Sequence, residues 1–179
     1  MQFLLSICRV IDRITAGFGV LATWAVLLSC LISAGNAGSR YLFSESSNAW
    51  LEIQWYLFSV IFLLGAAHTL RCNGHVRVDI IYMQISERAK LWVDLFGLVV
   101  FLLPASVLLG LMGWHLFLDS YLRGEMSNNA GGLIRWPVKL VMPVGFALLA
   151  LQGISELIKR IAALAGAYHL EAEYHRQVQ

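Results

Sequence analysis

Histidines, cysteines and a few isolated charges are the side chains here that could carry chemistry, and their spacing limits what it could be. Five histidines raise a haem or metal reading. His68 stands near the end of one long apolar stretch, and His115 stands 21 residues past Asp94, towards the far end of the next. At a helical rise of 1.5 Å per residue, roughly 25–30 Å of depth separates them. They cannot serve as the two axial ligands of one haem, and each reads better as an interfacial or bundle-facing polar residue. Cys8, Cys30 and Cys72 form no pair at metal spacing and read as small hydrophobes. Glu52 lies at the edge of a helix N-terminus, where the dipole favours an anion. His75, Arg77 and Asp79 would project on one side of an extended chain. They are either a set of charged contacts for a partner or a solvated juxtamembrane loop.

The elements that must hold these residues follow from composition. Of 179 residues, 59% are hydrophobic and 13% charged, with a net charge of +2. A soluble domain is about 45–50% apolar and about 25% charged, and at this length it could not bury so much apolar surface. The balance excludes a soluble enzyme, a disordered tail and a nucleic-acid binder, which would need a basic stripe. Residues 14–39, 53–70, 95–118 and 140–155 contain no Asp, Glu, Lys or Arg. A spanning helix needs roughly 20 apolar residues. The last stretch is short, but Lys139 on one side and Glu156, Lys159 and Arg160 on the other can snorkel. The expected fold is an all-α integral membrane domain, residues 1–167, with spans near 14–36, 53–70, 92–118 and 138–161. A polar tail, 168–179, follows. The small residues Gly35-Asn36-Ala37 invite a signal-peptide reading of the first span, but its apolar core is longer than the 7–15 residues expected of one. A retained helix is favoured.

Lys and Arg set the orientation. Arg9, Arg13, Arg71, Arg77, Arg88, Lys90, Lys159, Arg160 and Arg176 fall on one side, against Arg40, Arg123, Arg135 and Lys139 on the other. The positive-inside rule places both termini and the central loop in the cytoplasm. Trp50, Trp114 and Trp136 then lie near the outer interface and Trp92 near the inner one, as an aromatic belt requires; mid-span Trp24 is the exception. Cys8 and Cys72 face a reducing compartment and no disulfide is expected.

Between the spans, Ser47 or Asn48 suits the N-cap of the second helix and Ser86 that of the third. The segment 78–85 is apolar yet too short to cross, which predicts a short interfacial amphipathic piece between helices 2 and 3. Pro137 suits the first turn of the last helix. No span carries an ionisable residue at mid-membrane depth, the usual mark of an ion path. Small residues at close spacing (Ser106 and Gly110, Ala34 and Gly38, Gly65-Ala66-Ala67) allow close helix packing in lipid. They serve either the bundle itself or docking to another membrane protein.

Trp50 with Glu52, Gly65-Ala66-Ala67, then His75, Arg77 and Asp79, and finally Trp136-Pro137 with Pro143-x-Gly145-Phe146, occur in an order and spacing that resembles the small permease (Q-type, DctQ-like) subunit of tripartite ATP-independent periplasmic (TRAP) transporters. The likeness covers about residues 9–161. One departure is that Ile53 follows Glu52 where the family often has a second acid, so a role needing both acids is not carried over. The resemblance implies a non-enzymatic subunit with no cofactor, catalytic residue or metal. It implies that the chain scaffolds a large (M-type) permease subunit, which takes up an organic acid delivered by a periplasmic binding protein with an ion. It also shifts Trp50, Glu52, Gly65, Ala66, Arg71, His75, Arg77, Asp79, Ser106, Gly110, Trp136, Pro137 and Lys139 towards partner contacts. The stretch from Glu125 to Lys139 is similar to the branch labelled for mannitol or chloroaromatic compounds and 2-oxo acids. The competing readings are a haem-binding membrane anchor of a redox complex and a stand-alone small transporter.

Overall fold

The computed structural model describes residues 2–45, 47–74 and 86–166. Four helical rods cover nearly all of them. Helix α1 is Gln2–Phe43, α2 is Asn48–Arg71, and α4 is Trp136–Leu164. The third rod, α3, is continuous but changes register, from Glu87–Phe96 through a π-helical stretch Gly97–Leu102 to Leu103–Leu122. All four are long and apolar enough to cross a membrane. The expected interfacial segment 78–85, the tail 168–179, and His75, Arg77 and Asp79 lie outside the described residues.

Local chemistry accounts for the boundaries. Ser47 caps α2 by accepting from Ala49 N at 3.3 Å, and Ser86 caps α3 through Ala89 N at 3.4 Å, each relieving an orphan amide of a first turn. Pro137 lies in the first turn of α4, where its missing N–H costs nothing. The π stretch ends just ahead of Pro104, which has no N–H for the carbonyl four residues back. The Leu103 amide there reaches Leu98 O, five residues back.

The helices run up, down, up, down. One end of the bundle, the termini end, holds the start of α1, the end of α2, the start of α3 and the end of α4. The other, the loop end, holds the two connections 44–47 and 123–135. Helix α4 packs against all three others, whereas α3 packs on α4. Accordingly α4 is the most buried span. Close approaches rest on missing side chains. A Cβ on Gly145 of α4 would sit 2.7 Å from Leu63 Cβ and 2.9 Å from Leu63 O of α2. One on Gly19 of α1 would lie 2.5 Å from the His68 ring. Leu64, Ala67 and Leu148 form the small apolar core where α2 meets α4, with Phe18 and Val141 packed against it.

The first helix is much longer than its charge-free part. Residues 2–13 continue the rod because they pack against the end of α4, with Cys8 buried and its thiol 3.7 Å from Ser155 O. A second difference concerns Glu156, Lys159 and Arg160, expected to snorkel outward. All three point into the bundle, at 4%, 9% and 4% exposure. The reason is the central position of α4, whose flanks at this level are covered by α1 and α3.

Candidate functional site

Among the described residues, two polar clusters, one at each end of the bundle, hold the most closely engaged side chains. At the loop end, Glu52 projects from the first turns of α2 and is buried. Its Oε1 accepts from the Ser127 hydroxyl and, at 2.8 Å, from Asn129 Nδ2, and its Oε2 accepts from the Leu133 amide at 2.8 Å. The connection it grips is a tight hairpin. Ser127 N donates to Leu133 O at 2.9 Å, Arg135 N to Glu125 O at 3.0 Å, and Met126 bridges Ile134. Gly131 turns the hairpin at φ +70°, a conformation that glycine adopts without penalty. Asn48 Nδ2 donates to Ala130 O at 3.3 Å and the Tyr56 hydroxyl to Ile134 O at 3.1 Å, so α2 holds the α3–α4 connection at three points.

The base of the hairpin is tied by charge. Glu125 pairs with Lys139 of α4 and lies 3.6 Å from Arg135. The hydrogen bond from Lys139, aided by the nearby positive charges, lowers the Glu125 carboxyl from its ordinary value against a smaller opposing effect of desolvation. Beside it Trp136 packs edge-on to Tyr121, with ring centroids 5.5 Å apart.

At the termini end, an ion-pair network joins three helices. Lys159 Nζ donates to Asp12 at 2.7 Å and to Glu156 at 3.0 Å. Arg160 reaches Glu156 Oε2 at 2.5 Å, Asp94 of α3 at 3.0 Å and Asn73 Oδ1 at 3.4 Å. Gln152, fully buried, donates to Asp12 and Glu156 and accepts from Thr15 at 2.9 Å. Arg71 closes the set by donating to Asp12 O at 3.0 Å. Partners of opposite sign offset the desolvation that a lone buried charge would suffer.

The sequence-expected residues thus divide. Glu52, Arg71 and Lys139 are engaged within the chain, as is Trp136. Ser106 is buried between α3 and α4, and Gly110 faces Phe146 of α4. Gly65 lies against Ala22 of α1 and Ala66 is half-buried. Trp50 and Pro137 are exposed, as is Ala34, while no side chain comes within 4 Å of a Cβ built on Gly38. His68 and His115 stay on separate helices, the first wedged against Gly19 and the second exposed, with Nδ1 2.8 Å from Leu111 O. The termini-end network was not foreseen, although Gln152, Glu156 and Arg160 recur every four residues beside Ser155 and Lys159 at the same interval. That is one helix face.

Among known proteins, the family model described as "Tripartite ATP-independent periplasmic transporters, DctQ component" matches residues 29–163. The chain belongs to the DctQ family. This is a family of transporter subunits rather than enzymes, and with four apolar helices it makes the chain a multi-pass inner-membrane protein. The match takes in the loop-end cluster completely. At the termini end it includes Glu156, Lys159 and Arg160 but not Asp12. No curated protein and no solved structure matches the chain.

Proposed function

We propose that this DctQ-family chain is the scaffold on which a large TRAP permease subunit folds and works, in uptake of an organic acid that a periplasmic binding protein delivers and an ion gradient drives. Membership of the family over residues 29–163 carries the reading. The disposition of polar groups supports it. Glu52, Lys139, Asp12, Glu156, Lys159 and Arg160 are spent on holding the four helices in one arrangement. Between the two ends, large apolar side chains such as Phe58, Phe62, Phe101 and Leu108 face outward. Such a body offers a shaped, greasy surface to lipid and to a larger protein. In this proposal Trp50, Ala66 and Pro137 belong to the contact surface, together with His75, Arg77 and Asp79. Glu52, Gly65, Arg71, Ser106, Gly110, Trp136 and Lys139 shape that surface from within.

The test is co-expression with a large TRAP permease subunit. The two should co-purify, and uptake should be lost when this chain is omitted; full uptake by the large subunit alone refutes the proposal. Both termini are proposed to be cytoplasmic, following the Lys/Arg asymmetry. Cys72 is the reporter, being exposed at the termini end, whereas Cys8 is buried and Cys30 lies mid-helix. A membrane-impermeant maleimide should label Cys72 only after the cells are opened, and labelling in intact cells inverts the orientation.

A further inference from the structure

One groove of the molecule is not explained by anything above. It runs along the seam where α1 meets α2 and has two sections of about 500 Å³ each. The section at the loop end is lined by Ser33, Asn36, Arg40 and Tyr41 of α1 and by Gln54 of α2, with Leu51 as an apolar wall. The other section, deeper along the same seam, is lined by Val26, Leu27 and Cys30 of α1 and Ile61 of α2 at its near end, and by the polar Thr23, His68 and Thr69 farther down. The α1 residues recur every three to four positions from Ala22 to Arg40, so the two sections share one face of the helix.

The polar section has a definite chemistry. The side chains of Asn36, Arg40 and Gln54 make no hydrogen bond or ion pair with any described residue, and among the described residues no carboxylate lines the section. A guanidinium, two amides and the Tyr41 phenol therefore converge on open space with a formal charge of +1. Arg40 directly follows the charge-free stretch 14–39, which sets it at the level of the lipid headgroups. From Arg40 to Cys30 is ten residues, roughly 15 Å of helix, and half of a ~30 Å hydrocarbon layer. A donor cluster at headgroup depth, with the apolar near end of the second section (Val26, Leu27, Cys30 and Ile61) about one leaflet below it, matches a phosphate diester whose acyl chain ends against those residues.

We infer that the α1–α2 seam binds one anionic glycerophospholipid such as phosphatidylglycerol. Its phosphate sits on Arg40, Asn36 and Gln54, and one acyl chain lies against Leu27, Cys30 and Ile61. The absence of a lining carboxylate favours a glycerol headgroup over one carrying an ammonium, which would meet Arg40 with like charge. The guanidinium supplies the charge-assisted contacts, which are about twice as strong as neutral ones.

The experiment is native mass spectrometry of the purified full-length chain with equimolar phosphatidylglycerol and phosphatidylethanolamine. One retained phosphatidylglycerol is expected. Arg40→Gln should lower the bound fraction about five- to tenfold and erase the headgroup preference, while Arg40→Lys should keep both. Arg9→Gln, at the opposite end, should change nothing. Cys30→Trp, which fills the trough from an exposed position, should expel the lipid while circular dichroism stays that of the parent. Equal retention by Arg40→Gln, or no preference in the parent, overturns the inference. So does a Cys30→Trp chain that keeps its lipid but no longer co-purifies with the large subunit, because the seam then holds a helix. The lipid measurement uses this chain alone, so it stands or falls separately from the scaffold proposal.

Discussion

Removing Arg160 should be the most damaging single change at the termini end. The side chain is 4% exposed and gives one charge-assisted bond to Glu156 at 2.5 Å and one to Asp94 at 3.0 Å. Hydrogen bonds to charged groups contribute about 1.5–3 kcal/mol each, so two come to about 3–6 kcal/mol before any relaxation. In Arg160→Met the Glu156 carboxylate keeps Lys159 at 3.0 Å, while Asp94 loses its link to α4. Breaking a buried pair from one side typically costs 3–5 kcal/mol, and about that loss is expected here. Glu156→Gln alone should cost less, because Lys159 keeps Asp12 and Arg160 keeps Asp94, although the amide oxygen can accept from only one of the two cations. The double variant should lose less than the sum of the two, with a coupling of about 1–3 kcal/mol. The assay is reversible unfolding in mixed micelles by titration with SDS, followed by tryptophan fluorescence. A loss below about 1 kcal/mol for Arg160→Met, or strict additivity in the cycle, would show that water already reaches these charges and that the network contributes little.

Other expectations follow from the same geometry. Glu52→Gln should loosen the hairpin without unfolding the helices, seen as faster amide exchange at 126–134 with exchange in α2 unchanged; equal protection in both proteins refutes the clamp. Gly145→Val places a branched side chain where even a Cβ would meet Leu63 backbone at 2.9 Å, and should cost about 1–3 kcal/mol in the SDS titration, whereas the same change at lipid-facing Gly35, which has open space around it, should cost at most the mild helix penalty of a branched residue. Because Lys139 lowers the Glu125 carboxyl in the folded chain, its ion pair stabilises the loop end above the ordinary glutamate range, and that contribution fades as the pH falls through the depressed folded value. Lys139→Met should flatten this acid limb in a pH series of loop-end exchange rates, and an unchanged limb would assign it to another group.

Much of the architecture was legible in the sequence because lipid imposes a simple rule. Long charge-free runs are helices, and polar interruptions are their ends. What hydropathy could not convey is which helix sits in the middle. Lys159 and Arg160 read the same whether they reach outward to headgroups or inward to Asp12 and Asp94, 147 and 66 residues away in sequence, and only the packing of α1 and α3 on α4 decides between the two. Glu52 was visible as a residue of interest beside Trp50, but its partners, Ser127, Asn129 and the Leu133 amide, are far along the chain, and two of the contacts come from a turn whose shape depends on Gly131. The sequence marks the small residues as candidate packing faces, for the bundle or for a partner. Whether they packed inside, as Ser106 and Gly110 do, or stayed open, as Ala34 does, depended on helix adjacency that periodicity does not encode.

The central position of α4 has a consequence for biogenesis. Helices leave the ribosome in chain order, and α1 and α2 can close on each other at once through Gly19, Ala22 and Gly65. Helix α3 emerges next with its chief packing surface still unsynthesised, since it packs on α4. It must wait in the bilayer, and its 95–118 stretch, without Asp, Glu, Lys or Arg and polar only at Ser106 and His115, suits it to that wait. The last helix then arrives carrying Glu156, Lys159 and Arg160, and the pairs with Asp12 and Asp94 form in one step. Assembly is thereby gated by completion of the chain: a nascent protein lacking α4 is a helical hairpin and a loose third helix, and the finished bundle is reached only when the final span locks the other three.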